Sequence, residues 1–101
     1  MSRSEFRYNK KRKHYAYLFK DIGNRRKNII LTSKANRKYH QKYKKNIKLN
    51  KHPNIKIIKE VYVIPIIYID DISSFDIKVL QWSFDKNDKR IIKRIIKHKK
   101  V

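Results

Sequence analysis

Residues 60–75 read EVYVIPIIYIDDISSF, the longest stretch of this chain nearly free of charge and the one able to seed a core. Val61, Val63, Ile66, Ile67 and Ile69 are β-branched and interleaved with Tyr62 and Tyr68. Such side chains suit a pleated sheet, where their restricted χ1 costs little. The pattern predicts a strand over Glu60–Ile69. Pro65 cannot donate to a ladder, so it marks a kink, a bulge or an edge. Asp70-Asp71 ends the strand. A helix is the alternative, and Pro65 in mid-run argues against it.

Around this stretch the chain is strongly basic. Its 101 residues carry 29 Lys and Arg against 8 Asp and Glu, a formal charge of +21, with 40% hydrophobic residues. That length and composition fit one domain with one small core. Self-repulsion on this scale disfavours a compact state unless a polyanion screens it. Nucleic acid is the natural partner, through phosphate neutralisation and counterion release. The cations are concentrated early: residues 1–51 hold 18 against 2 acids, and residues 52–101 hold 11 against 6. There is no cysteine, which excludes disulfides and a Cys-based zinc site. No apolar run reaches the ~20 residues of a membrane span. The basic N-terminus lacks the apolar core of a secretory signal. A cytoplasmic protein with no membrane partner is expected. The Lys, Ile and Asn bias also matches what an AT-rich genome produces.

Before the central stretch, residues 1–13 (MSRSEFRYNKKRK) show no clear periodicity and read as a flexible basic arm, with Phe6 and Tyr8 available for base stacking. The domain then runs from residue 14 to 101. His14–Phe19 (HYAYLF) is a first strand and Asn28–Ser33 (NIILTS) a second. Gly23-Asn24 between them marks a turn needing positive φ, and Arg25-Arg26-Lys27 lengthens the connection beyond two residues. Lys34–Lys45 (KANRKYHQKYKK) is an exposed basic loop or a helical turn. Asn46–Leu49 alternates as a short strand, Asn50–Asn54 turns at Pro53, and Ile55–Ile58 leads into the central strand. After it, Ile77–Phe84 (IKVLQWSF) is a further strand candidate. Asp85–His98 is a helix: Asp85 is the N-cap, Asp88 completes a capping box, and Ile91, Ile92, Ile95 and Ile96 form one apolar stripe. The fold expected is mainly β within the α+β class, a small antiparallel barrel or curled sheet with a C-terminal helix over residues 85–98.

Three stretches carry a family resemblance. Lys13–Phe19 (KHYAYLF), Asn28–Lys34 (NIILTSK) and Glu60–Phe75 are similar to strands of the PemK/MazF toxin endoribonucleases, and together they cover Lys13 to His98. The resemblance implies an SH3-like barrel, metal-independent RNA cleavage and an acidic antitoxin as partner. It carries the family's catalytic arginine and threonine onto Arg12 (or Lys13) and Thr32. The family's Gly- and Glu-rich loop ending in Arg-Pro has no counterpart here.

Cleavage without metal needs a base for the 2′-hydroxyl, an acid for the leaving oxygen and a cation for the phosphorane. Arg12, His14 and Thr32 converge if the first two strands pair, and they are the catalytic candidates. His40 and His52, in basic loops, read as phosphate neighbours. Asp70 and Asp71 are the only adjacent carboxylates. With Glu60, Asp76 or Asp85 they offer oxygens to a metal, but a polar strand-ending turn explains them more simply, so neither metal nor cofactor is expected. Lys10, Lys11, Arg12, Lys13, Arg25, Arg26, Lys27, Lys34, Arg37, Lys38, Tyr39, Lys42, Tyr43, Lys44 and Lys45 form the expected nucleic-acid surface. Tyr8, Tyr15 and Tyr17 add stacking faces. No segment resembles a helix built to read a major groove, so contacts led by the backbone are expected, with RNA ahead of DNA. The function expected is that of a small nucleic-acid-binding protein of phage or mobile-element type, acting as a toxin-like endoribonuclease. The alternative is a non-enzymatic protein that blocks a nucleoprotein machine such as a ribosome or an RNA-guided nuclease.

Overall fold

The computed structural model describes residues 4–35 and 46–98. The described chain is mainly antiparallel sheet with one C-terminal helix, as the composition of its runs predicts. Strands β1 (Glu5–Asn9), β2 (His14–Ile22), β3 (Arg25–Thr32), β4 (Ile47–Lys48), β5 (Tyr62–Val63) and β6 (Tyr68–Asp71) precede helix α1 (Lys86–His98). Pairing follows β1-β2-β3-β5-β4, and β6 also pairs with β3, so the sheet curls without closing.

β3 organises the sheet. One side of it holds β2, with Ala16 opposite Ile30 and Ile22 opposite Arg25. Along the other runs the central stretch, interrupted as Pro65 requires. Val63 lies opposite Leu31, whereas Tyr68 lies opposite Asn28, so the register slips by two residues between β5 and β6. The Ile66 N–H turns back to the Ile64 carbonyl at 2.7 Å, spanning Pro65 in a three-residue turn. The expected single strand is therefore two short strands divided by a bulge, and β6 extends through Asp70 and Asp71.

Both faces of β3 are covered, which fits the continuously apolar Ile29-Ile30-Leu31. Ile29 and Leu31 join Phe6, Leu49, Val61, Val63 and Phe84 beneath Ile92 and Ile95 of α1. Ile30 turns the other way, to Ala16, Leu18 and Phe75. Helix α1 begins where the cap predicts: the Asp88 N–H donates to Asp85 Oδ1 at 2.9 Å. The second half of the expected capping box does not form. The Asp88 carboxylate is buried and accepts the Asn50 and Lys51 N–H groups at 2.7 and 3.0 Å, clamping the turn after β4 onto the helix.

Four expectations are corrected. The arm over residues 1–13 is, from Glu5 to Asn9, an edge strand that pairs with β2. Its Phe6 is 3% exposed and packs against Tyr17 and Phe84 with ring centroids 5.1 and 4.9 Å away. The period-2 alternation was present, but Arg7 and the following cations hid it. Second, the turn between β2 and β3 is the minimal Gly23-Asn24, because Arg25 already pairs with Ile22. Gly23 has φ +55°, the left-handed region such a turn requires. Third, Ile77–Phe84 forms no strand. Beside β1 it makes one bridge, Leu80 to Phe6, after another at Phe75 to Asn9. Two extra residues lie between those bridges, and they prevent a continuous ladder. Fourth, Ile55–Ile58 turns rather than extends, leaving Ile55 and Ile58 almost wholly exposed.

Candidate nucleic-acid interface and cleft

The hairpin joining β1 to β2 has a tip made only of cations, Lys10-Lys11-Arg12-Lys13. Asn9 shapes it: its backbone carbonyl accepts the Lys13 N–H at 2.8 Å, and its side-chain oxygen accepts the Arg12 N–H at 3.1 Å. Lys13 takes a positive φ of 59° to close the turn.

Arg12 leaves this tip and folds inward. Its Nε and Nη2 donate to the two oxygens of Asp70, each at 2.8 Å, and its guanidinium lies 3.8 Å from the centroid of the Tyr68 ring. Asp70, 1% exposed, also accepts the side-chain amides of Asn9 and Asn28, each at 3.1 Å. Burial by itself would raise the Asp70 pKa. The donors of Arg12, Asn28 and Asn9 outweigh it and hold the carboxyl at about 2. The residue expected to help catalysis thus neutralises a buried carboxylate. With its acceptor sites filled by four donors, Asp70 has little left for a metal ion. Among the described residues no group of three or more His, Asp or Glu side chains is placed to hold one.

The arginines near the β1–β3 edge behave alike. Arg25 reaches Asp71 at 3.4 Å, Arg26 reaches Asp21 and Glu5 at 3.0 and 3.1 Å, and Arg7 pairs with Glu5. Arg25 and Arg26, expected at the ligand surface, are therefore engaged by acids in the sheet. Lysines differ. Lys11 stands 3.7 Å from Asp70 with its side chain largely exposed. Among the described residues, Lys10, Lys13, Lys27 and Lys34 show no carboxylate within ion-pair distance, nor does Lys59. The planar guanidinium fork suits bidentate pairing inside a fold, whereas the hydrated ammonium stays in water. The expected contacts Arg37, Lys38, Tyr39, Lys42, Tyr43, Lys44 and Lys45, with His40, lie outside the described residues.

A cleft of about 250 Å³ opens where β3 passes from β2 to β5. The last β2–β3 pair is Ala16 with Ile30, and from Leu31 onward β3 pairs with β5. Continuing the β2 register by two residues sets His14 across from Thr32. Both line the cleft, with Lys13, Tyr15, His52, Lys59 and Glu60 among its other residues. The sheet therefore brings His14 and Thr32 together and leaves Arg12 outside.

Each polar group here has a defined state. Burial lowers the His14 pKa first, and the Lys34 ammonium lowers it further, which favours neutral imidazole. Burial likewise lowers that of His52. His52 Nδ1 accepts the Asn54 N–H at 3.0 Å, so the proton of the neutral ring sits on Nε2. Thr32 Oγ1 accepts the Lys34 N–H at 3.2 Å and keeps its own proton to donate. The Lys48 ammonium at 2.9 Å and the Tyr62 hydroxyl at 3.2 Å hold Glu60 ionised and lower its pKa, so it is a poor proton donor. Tyr15 is 42% exposed and lies 4.8 Å from Trp82 and 5.2 Å from Tyr8, centroid to centroid, a stacking face at the mouth. Tyr17 faces the core instead, against Phe6 and Phe84.

Two roles escaped the sequence. That of Asp70 had a signal, an acidic pair that antiparallel pairing would set opposite Arg25-Arg26. His52 had none beyond its place in a turn, since only the tertiary fold brings it to β2. Compared with known proteins, the chain matches no family model, no curated protein and no solved structure.

Proposed function

We propose that the protein binds RNA along the cationic hairpin tip and across the cleft beside it. One observation carries this: Arg7, Arg12, Arg25 and Arg26 are paired with carboxylates, while Lys10 on the hairpin tip, Lys34 just after Thr32, and Lys13 and Lys59 in the cleft show no such partner among the described residues. Glu5, Asp70 and Asp71 are paired with arginines of the sheet, Asp85 and Asp88 hold the start of α1, and Glu60, in the cleft itself, pairs with Lys48. The remaining charge is free to displace counterions from phosphates. The cleft, about 250 Å³, is of the size of one phosphodiester or one base rather than of a duplex. Tyr15 at its mouth offers a face to a splayed base, which favours a single strand. The PemK/MazF resemblance names the same ligand; of the positions it carries over, Thr32 and the alternative Lys13 line the cleft, while Arg12 does not.

Fluorescence anisotropy with labelled single-stranded RNA, single-stranded DNA and duplex DNA tests the proposal. Affinity for RNA should be the highest and should fall roughly 50-fold between about 50 and 200 mM salt, as four neutralised phosphates predict. Equal, salt-insensitive and weak binding to all three would exclude it.

A further inference from the structure

Between β4 and β5 the chain holds two isoleucines out in water. Ile55 is 89% and Ile58 98% exposed, the highest values among the large hydrophobic side chains of the described residues. The turn that carries them is well bonded. The Ile57 N–H donates to the Asn54 carbonyl at 2.9 Å, and the Lys56 N–H to the Asn54 side-chain oxygen at 3.1 Å. The Pro53 carbonyl accepts the Ser83 N–H at 3.2 Å, which ties the turn to the segment before α1. A single exposed isoleucine, such as Ile77, is ordinary, whereas a joined apolar patch marks an interaction site. Ile55, Ile57 and Ile58 do share one hollow of about 440 Å³, with the buried Leu49 and Val61. Lys48, Lys51 and Lys59 line it too, and Lys56 lies between Ile55 and Ile57 in the chain. Glu60 is taken by Lys48, and Asp85 is near enough to Lys51 for its pKa to be lowered. Yet Lys51, Lys56 and Lys59 have no carboxylate within ion-pair distance among the described residues, so the patch is ringed by positive charge.

We infer that this turn docks on an anionic lipid bilayer, with Ile55 and Ile58 set among the acyl chains and Lys51 and Lys56 on the headgroups. The chemistry of the two layers matches. Apolar tips meet hydrocarbon, and ammonium groups at their base meet phosphate and carboxylate. Side chains that protrude this far need a partner that yields around them. A fluid bilayer does so, whereas a protein surface would need a pocket cut for each. The expectation of no membrane partner rested on the lack of an apolar run long enough to span. No helix among the described residues is long and apolar enough to cross a membrane, and an inserted turn requires none. The inference stands apart from RNA binding, because Ile55, Ile58, Lys51 and Lys56 are not among the cleft residues.

The test floats the whole protein with vesicles of phosphatidylcholine alone or with about 30% phosphatidylglycerol added. Wild type should bind the anionic vesicles at least ~10-fold more tightly than the neutral ones. Ile55→Ser with Ile58→Ser should lose ~10-fold or more on anionic vesicles. Its melting temperature and its affinity for single-stranded RNA should not change, since both side chains lie in water. Lys51→Gln with Lys56→Gln should lose ~10-fold and depend less on salt. The chain has no cysteine, so Ile58→Cys accepts one environment-sensitive fluorophore. Its emission should shift to the blue on anionic vesicles, and that of the same probe at Ile77→Cys should not. Three results overturn the inference. The first is no binding to either vesicle. The second is a serine variant that binds as wild type does, or equal shifts at both probe positions, which leaves adsorption by charge alone. The third is self-association of wild type without lipid that the serine variant abolishes, which makes a second copy the occupant.

Discussion

The two ends of β3 use the same basic composition in opposite ways. At the Arg25–Asn28 end, β3 lies between β2 and β6 among Asp21, Asp70 and Asp71; Arg26 is held by Asp21 and Glu5, and Arg25 makes a more exposed pair with Asp71. At the Leu31–Thr32 end it borders a cleft that holds Lys13 and Lys59, neither within ion-pair distance of a carboxylate among the described residues, and Glu60, which pairs with Lys48 instead. Net charge therefore says little about any single cation. Whether a positive residue folds the chain or faces a ligand depends on which strand lies across from it.

The largest effect is expected at the closed end. Asp70→Asn leaves the Arg12 guanidinium without its carboxylate and disturbs the amides of Asn9 and Asn28, and should cost about 3–5 kcal/mol. Urea unfolding would show it, and a loss below about 1 kcal/mol would mean the knot is not what holds this end. Acid provides a milder version of the same break. The Asp70 pKa falls from 3.8 unfolded to about 2 folded, so its stabilisation is complete above about pH 4 and is lost as pH falls through 2. That amounts to about 2 kcal/mol. Wild type should lose it between those values, and Asp70→Asn should show a flatter curve there.

The open end should respond in affinity rather than stability. Replacing Lys10 and Lys13 together by Gln should weaken RNA binding about 10-fold at low salt and lower the salt slope by ~1–2. Unfolding free energy should stay within ~0.5 kcal/mol. If stability fell and affinity did not, the contrast between the two ends would be lost. The smallest effect is expected at the β2–β3 turn. Gly23→Ala meets no neighbouring atom within 4 Å, yet φ +55° strains any side chain, so a loss of about 1 kcal/mol should appear in the melting temperature.

Much of the fold was legible because its signals are local. Gly23-Asn24 marks the hairpin, Asp85 with the isoleucine stripe marks α1, and Pro65 marks the bulge. Legibility failed where a segment took its role from a distant partner. Phe6 reads as part of a basic tail until β2 and Phe84 close over it. Residues 77–84 look like a strand until the register beside β1 slips. In the cleft, His14 and Thr32 could be foreseen from two adjacent strands. His52 could not, since it arrives on a connection whose course is set by the Asp88 clamp at Asn50 and Lys51.

The sequence by itself determined the charge excess, the helix with its cap, the central hairpin and the break at Pro65, because each depends on residues within a few positions of one another. Only the tertiary structure decided that Arg12 serves Asp70 and that His14, Thr32 and His52 share one cleft. Those outcomes depend on pairing across as many as 58 residues, where the geometry of the sheet chooses which of many similar cations meets an acid.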